Sequence, residues 1–276
     1  MKKRHSMDNL VKGIIYLSSI VTVGVLLWIL IYVVSNGIGE ISWDFISQTQ
    51  MGEGEEGILP YIVSTLYVIL ITIIIATPIG IFSAIYLVEY AKPGKVVRVI
   101  RFATESLAGI PSIVFGLYGL IFFVTFLNFG WSILSGSLTL SMMVLPTIVR
   151  TTEESLKAVP NTFREGSLGL GASKLRTIRK VILPSAIPGI LTGVILSIGR
   201  IVGETAAIYL TLGTVKWMPK GLMDGGRTLA VHLYYLAKEG ISFEKAYATA
   251  TILILIVLVI NFIANKLASR LNKAKQ

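Results

Sequence analysis

Residues 106–149 read SLAGIPSIVFGLYGLIFFVTFLNFGWSILSGSLTLSMMVLPTIV, without one Asp, Glu, Lys or Arg. A helix rises about 1.5 Å per residue and the hydrocarbon core of a bilayer is about 30 Å thick, so about 20 apolar residues cross it. Taken as one helix, this run would reach about twice the membrane thickness. It must therefore fold back, and Asn128, Phe129, Gly130 and Trp131 are where the turn belongs. That reading yields two spans, 106–127 and 132–149.

Working outward, four more stretches pass the same test. Residues 13–34 carry no charge and follow Lys2, Lys3, Arg4 and Lys12. The run is too long for a signal-peptide core and lacks a small-residue cleavage site, so it reads as an uncleaved first span. Residues 60–88 are also uncharged and contain Pro78, a kink. Span five, 185–212, is apolar apart from Arg200 and Glu204, and span six, 246–265, lies between Lys245 and Lys266. The sequence thus predicts an all-α integral membrane protein: a single transmembrane domain over 13–270, with a short arm at 1–12 and a tail at 271–276. The composition agrees, with 54% hydrophobic and 14% charged residues, where a soluble domain carries about a quarter charged.

Lys and Arg accumulate on the cytoplasmic side of membrane proteins. The arm contributes the four cations above, the second loop Lys92, Lys95, Arg98 and Arg101, and the tail Lys266, Arg270, Lys273 and Lys275. The fourth loop adds Arg150, Lys157, Arg164, Lys174, Arg176, Arg179 and Lys180. With six spans all four segments share one side, so both termini are expected in the cytoplasm. The first loop, opposite, holds Glu40, Asp44, Glu53, Glu55 and Glu56 without a cation, and the fifth loop is mixed. The pI of about 9.7 follows from these flanking cations, whose natural partner is anionic lipid rather than nucleic acid. There is no cysteine, so neither a disulfide framework nor a thiolate metal site is expected. Two histidines, His5 and His232, make no metal constellation, and His232 reads as a surface residue of the outer loop. No G-x-x-x-x-G-K-[ST] phosphate loop is present, so this chain is expected to hold no ATP and no other cofactor.

The fourth loop, 150–184, is the longest cytoplasmic connection. It reads as a short helix over 151–157, a second over 162–170 stopped by Gly171, and a basic amphipathic stretch over 172–180 that leads to the membrane. Within it stand Glu165-Gly166-Ser167, then Gly171, then Val181-Ile182-Leu183-Pro184. This spacing resembles the cytoplasmic signature of the ABC-importer permeases: E-A-A, three residues, G, nine residues, I-x-L-P. Gly166 and Ser167 replace the two alanines and Val181 replaces isoleucine, all small or apolar. The resemblance implies a MetI-like bundle whose loop forms a coupling helix seated in a groove of an ATPase subunit. Phe163, Glu165, Gly166, Ser167, Leu168, Gly171, Leu183 and Pro184 would make that contact, with Leu170 adding apolar surface. ATP would be bound and hydrolysed in that partner, and this chain would be a transport subunit rather than an enzyme.

Two further segments narrow the class. Residues 107–119, LAGIPSIVFGLYG, preceded by AIYLVEY at 84–90, are similar to the third-span entry of phosphate-specific importer permeases. GRIVGETA at 199–206 is similar to a segment shared by both permeases of that system. Residues 228–234, TLAVHLY, favour the A-type subunit (PstA), although Ala230 stands where that family usually has proline. The implied partners are a second, PstC-like permease, two PstB-like ATPase subunits and an extracytoplasmic PstS-like phosphate-binding protein, assembled in the inner membrane.

Arg200 and Glu204 are the charges deep in a predicted span. Each costs about 2.5–3.5 kcal/mol at a helix centre, so both should face protein or a water-filled cavity. Their i, i+4 spacing predicts one helix face and mutual pairing. Counted from Pro184, Arg200 is expected beyond the midplane, toward the outer leaflet. With the resemblance, Arg200 becomes the candidate phosphate ligand of the substrate path and Glu204 the residue that holds its rotamer. Gly189 with Gly193 and Gly199 with Gly203 form two small-xxx-small pairs, expected at helix interfaces. Permeation of another oxyanion such as sulfate or molybdate, an ion-coupled secondary transporter and a non-transporting membrane scaffold remain as alternatives.

Overall fold

The computed structural model describes residues 2–49 and 57–273, with the side chains of 11–49 and 57–266. Glu53, Glu55 and Glu56 of the acidic loop, Lys275, and the side chains of Lys2, Lys3, Arg4, Arg270 and Lys273 lie outside the described parts. The described chain is helical. Helix α1 (Lys2–Gly37) begins inside the stretch expected as an arm and is followed by the short α2 (Trp43–Ser47). Helix α3 (Leu59–Ile85) is closed by a π-turn, Tyr86–Tyr90. Helices α4 (Lys95–Ala108) and α5 (Ser112–Gly119, extended by a π-turn to Phe126) come next, then α6 (Ile133–Lys157) and α7 (Asn161–Gly169). The helix α8 (Lys174–Thr177) runs through another π-turn into α9 (Leu183–Val202), and α10 (Ala206–Thr211), α11 (Leu229–Lys238) and α12 (Phe243–Lys273) complete the fold.

Five helical stretches are long and apolar enough to cross a membrane, and the bent pair α4–α5 makes a sixth. The bend is where the expected span 106–127 needs correcting. Helix α4 meets α5 at 102°, because Gly109 ends α4 and Pro111, extended at ψ 141°, cannot continue a helix. The apolar helical segment after the bend is Ser112–Phe126, and the preceding amphipathic helix lies across it. Val96, Val99 and Phe102 are exposed on one face of α4, while Arg98, Arg101 and Glu105 occupy another. The chain then reverses through Asn128 (φ 55°) and Gly130 (φ 66°), both left-handed.

Two other boundaries move. The separate helix expected over 151–157 is the continuation of α6, since nothing breaks the helix before Pro160 and the pairs Arg150–Glu154 and Glu153–Lys157 brace its last turns. The expected span 185–212 starts earlier, within one continuous helical stretch from Lys174 to Val202, and breaks after Val202.

Helix α6 is the axis of the bundle: Leu140, Met143, Val144 and Ile148 are fully buried among Val68 and Ala76 of α3, Ile201 and Val202 of α9, and Ile208 and Leu212. Lipid tails are as apolar as leucine, so helices associate in membranes through close van der Waals packing and a few polar contacts. Both devices are present. Ser141 Oγ donates to Ser137 O (2.7 Å) while Thr72 Oγ1 of α3 donates to the same carbonyl (3.3 Å). On the other flank, a Cβ on Gly189 or Gly193 would overlap Ser155 or Thr151, so these glycines let α9 lie directly on α6. Gly199 and Gly203, the second expected pair, face no neighbouring element within 4 Å in this chain. Helix α1 packs chiefly on α12, with Tyr32 edge-on to Tyr247 (5.8 Å), and is otherwise exposed.

At the end opposite the basic loops, the segment after α10 folds over the start of α6. Ile133 N donates to Asp224 O (2.9 Å) and Leu134 N to Leu222 O (2.8 Å), and Ser132 Oγ accepts from Ser135 N (3.1 Å). The orphan donors of the α6 N-terminus are thereby satisfied. His232 departs from the surface role expected of it: it is 1% exposed within α11 and stacks on Tyr61 at 4.1 Å. Arg227 beside it is equally buried, donating twice to Thr214 O (3.1 and 2.7 Å) and lying over Tyr61 and Tyr235.

Candidate functional site

The perpendicular run of α4, the long α6 and the last turn of α9 line an open cavity of about 600 Å³. Its wall includes Arg101, Thr104 and Glu105 of α4, Thr147, Arg150, Thr151, Glu153, Glu154 and Lys157 of α6, and Arg200 of α9. Four cations therefore face three carboxylates. Arg101 pairs with Glu153 (3.3 Å), which also receives Lys157 (2.8 Å), and Arg150 pairs with Glu154 (3.2 Å). Every carboxylate of α6 here is matched to a cation of its own neighbourhood. Arg101 Nε is buried and has no hydrogen-bond partner among the described residues.

Arg200 enters this cavity alone. Gly189 sits against Ser155 and Gly193 against Thr151, an antiparallel register that carries Arg200 to the level of Val144 to Thr147, midway along α6. Within its own helical stretch, Lys174–Val202, Arg200 stands in the last turn. The expected pairing with Glu204 is absent. Helix α9 stops at Val202, so residues 203–205 leave the helical register and Glu204 Oε1 instead accepts from Ala207 N (3.1 Å), closing the first turn of α10. Among the described residues Arg200 has no ion pair or side-chain hydrogen bond. Non-helical backbone at mid-depth is tolerated where it is buried in protein or lines a water-filled space. Gly203 in this break is exposed in the chain.

The basic loop carries the second constellation. Helix α7 ends with Gly171 at φ 82°, and its termination has two backbone bonds: Ala172 N to Ser167 O (3.1 Å) and Gly171 N to Leu168 O (2.9 Å). That is the Schellman closure, which requires the left-handed conformation glycine adopts without strain. Phe163, Glu165, Gly166, Leu168 and Leu170 are all exposed, Leu170 at 91%, and no residue of α7 is buried. Ser167 is turned inward, its hydroxyl 2.9 Å from that of Thr177. Leu183 and Pro184 lie apart from this face: they are partly buried at the start of α9, Leu183 against the cluster of Leu87, Leu156 and Ile182. The structure brings the Glu165–Gly171 part of the signature onto one open helix and builds its last part into the bundle.

Residues 76–274 match the family model described as binding-protein-dependent transport system inner membrane component. The chain belongs to this family. It is 34% identical to the probable ABC transporter permease protein YqgI of Bacillus subtilis, over 96% of each chain. It is 33% identical to the phosphate transport system permease protein PstA of Mycobacterium leprae, over 94% of this chain and 88% of that one. The PstA of Pasteurella multocida is 34% identical over 87% and 86%. Among solved structures, the fold is similar to a chain of a bacterial alginate ABC transporter (TM-score 0.68, 14% identity, 94% and 96% covered). It is also similar to a chain of the MetNI methionine ABC transporter (TM-score 0.61, 18% identity, 78% and 94% covered).

As an ABC-importer permease, the chain is a multi-pass inner-membrane transport subunit and not an enzyme. Family membership removes the secondary-transport and scaffold alternatives. Three permease residues escaped the sequence reading. Arg101 and Arg150 were counted as loop cations and Glu153 was not singled out, yet all three converge on the cavity that holds Arg200. The signal for Arg101 was present: Arg98, Arg101 and Glu105 recur at helical spacing opposite Val96, Val99 and Ala103. For Arg150 and Glu153 it was the lack of any breaker between Pro146 and Pro160.

Proposed function

We propose that this permease imports inorganic phosphate and forms half of the translocation pathway, with a second, C-type permease supplying the other half. The observation that carries the reading is the unpaired Arg200 guanidinium in a cavity also walled by Arg101 and Arg150. A guanidinium presents a planar fork of donors to phosphate oxygens and stays charged at any relevant pH. The two carboxylates of α6 are already committed to other cations, and with Glu105 counted the four cations still exceed the three carboxylates, so an entering anion meets net positive charge. The PstA relatives support the same substrate. Glu204, bonded to Ala207 N, shapes the helix break beside Arg200 and does not orient its side chain. The basic end faces the cytoplasm, where α7 docks on one of two ATPase subunits that bind the ATP. An extracytoplasmic binding protein delivers the anion to the opposite end.

The test is uptake by the complete transporter in proteoliposomes. Labelled phosphate should accumulate with ATP inside the vesicles' motor compartment, and excess sulfate or molybdate should not compete. Competition by either would reassign the substrate to another oxyanion. Arg200→Leu should lower phosphate uptake by about 10- to 100-fold, as expected for loss of a hydrogen bond to a charged group worth about 1.5–3 kcal/mol. Normal uptake in an assembled Arg200→Leu complex would remove Arg200 from the path.

A further inference from the structure

We propose that Arg164 is the positioning residue that locks the coupling helix α7 to the end of α3, so that displacement of α7 becomes displacement of that span. The inference rests on the coupling role given to α7 above. Helix α7 buries no residue of its own, yet it is not loosely attached. Arg164 points away from the open face, into the bundle, with its side chain 18% exposed against Glu89 at 8%. All three nitrogens of its guanidinium are used. Nε and Nη2 donate to Glu89 Oε1 (3.1 and 2.8 Å), Nη2 also to Leu156 O (2.8 Å), and Nη1 to Val159 O (2.8 Å) and Asn161 Oδ1 (3.2 Å).

Each acceptor belongs to a different part of the machine. Glu89 is in the π-turn that closes α3, a local geometry that frequently marks functional sites. Leu156 O is among the carbonyls at the end of α6 that no intrahelical donor can reach. The following segment lands on the same turn, since Lys174 at the start of α8 lies over the Tyr90 ring at 5.0 Å. The Ser167–Thr177 hydroxyl pair braces α7 against α8. The loop is therefore triangulated onto residues 86–90. A charge pair this buried tolerates no half measure, because removing one partner strands the other charge away from water. Lysine cannot substitute, since one ammonium does not reach a carboxylate and three further acceptors in the geometry of a planar fork.

The experiment uses the complete reconstituted transporter with inorganic phosphate, and it exploits the absence of cysteine from the chain. Glu89→Gln and Arg164→Lys should retain the ATPase subunit and its hydrolysis rate while phosphate moved per ATP falls about tenfold, the order of coupling single residues carry. Bridging Glu89→Cys to Arg164→Cys with a bifunctional thiol reagent should restore the ratio. A second readout is independent of substrate. With spin labels at Phe82→Cys on α3 and Thr162→Cys on α7, the distance should not change on trapping the ATPase closed, and should change once Glu89→Gln is added. Normal stoichiometry in Glu89→Gln, or a bridged variant that stays uncoupled, overturns the clasp. Should Glu165→Lys leave the ATPase bound, the coupling role of α7 fails and the clasp falls with it.

Discussion

Ala230 shows what a single position can and cannot reveal. It stands where the PstA-type sequences usually carry proline, a departure that weakens a motif without explaining itself. In the structure Thr228 caps α11, its Oγ1 accepting from Val231 N (3.4 Å), and Leu229 N is bonded to Thr65 Oγ1 (2.9 Å). Ala230 is thus the second residue of the helix, where an N–H has no intrahelical acceptor and proline is tolerated. Ala230→Pro should therefore shift stability by less than about 1 kcal/mol, followed as the thermal midpoint of the purified protein; a loss of several kcal/mol would show that the first turn cannot accept a fixed φ. His232, two residues on, was illegible for the opposite reason. Nothing in its neighbours' composition distinguishes an exposed loop histidine from one stacked beneath Tyr61, because the stacking partner comes from a span far away in sequence. Arg200 was legible as a charge in an apolar run, and its pairing was not, because the helix it was placed on ends before Glu204.

At the scale of elements, spacing predicted well where a stretch had one environment and poorly where it had two. The glycines of α9 separate into two kinds. Gly193 meets Thr151 of α6 so closely that any side chain must push the helices apart, whereas Gly199 faces open space. Gly193→Leu should destabilise the isolated permease by about 1–3 kcal/mol through overpacking, and Gly199→Ala should leave it unchanged. Equal effects at both positions, read by thermal unfolding in detergent, would contradict the register that sets Arg200 level with the middle of α6. Helix α4 shows the complementary failure. Its cations were read as loop charges flanking a span, since the run 106–149 was treated as if it entered the membrane where its charges ended. The Gly109-Ile110-Pro111 break was in the sequence, but whether such a break kinks a span or turns a helix by 102° depends on the amphipathic face before it, which has to find an interface.

For the molecule as a whole, the surfaces left open divide by position. The apolar flank of α1 and the outer faces of α3 and α12 suit lipid, whereas α7 belongs to a connection between spans and is outside every helix long and apolar enough to cross a membrane. Phe163, Leu168 and Leu170 expose apolar surface on it, and Glu165, one turn before Leu168, makes no ion pair among the described residues. An apolar patch with a single carboxylate fits a protein groove with one cation better than it fits water. Glu165→Lys should accordingly abolish co-purification of the ATPase subunit, measured by pull-down from detergent extract of cells expressing the whole transporter. The same substitution should leave the stability of the isolated permease, followed by thermal unfolding, within about 0.5 kcal/mol of the parent, as for an exposed position. Because α7 keeps its attachment through Arg164 rather than Glu165, docking and folding are carried by separate faces of one helix turn. If Glu165→Lys instead unfolds the permease while a Leu170→Ser variant still binds the ATPase fully, the open face of α7 is part of the fold's own support and the motor must engage elsewhere.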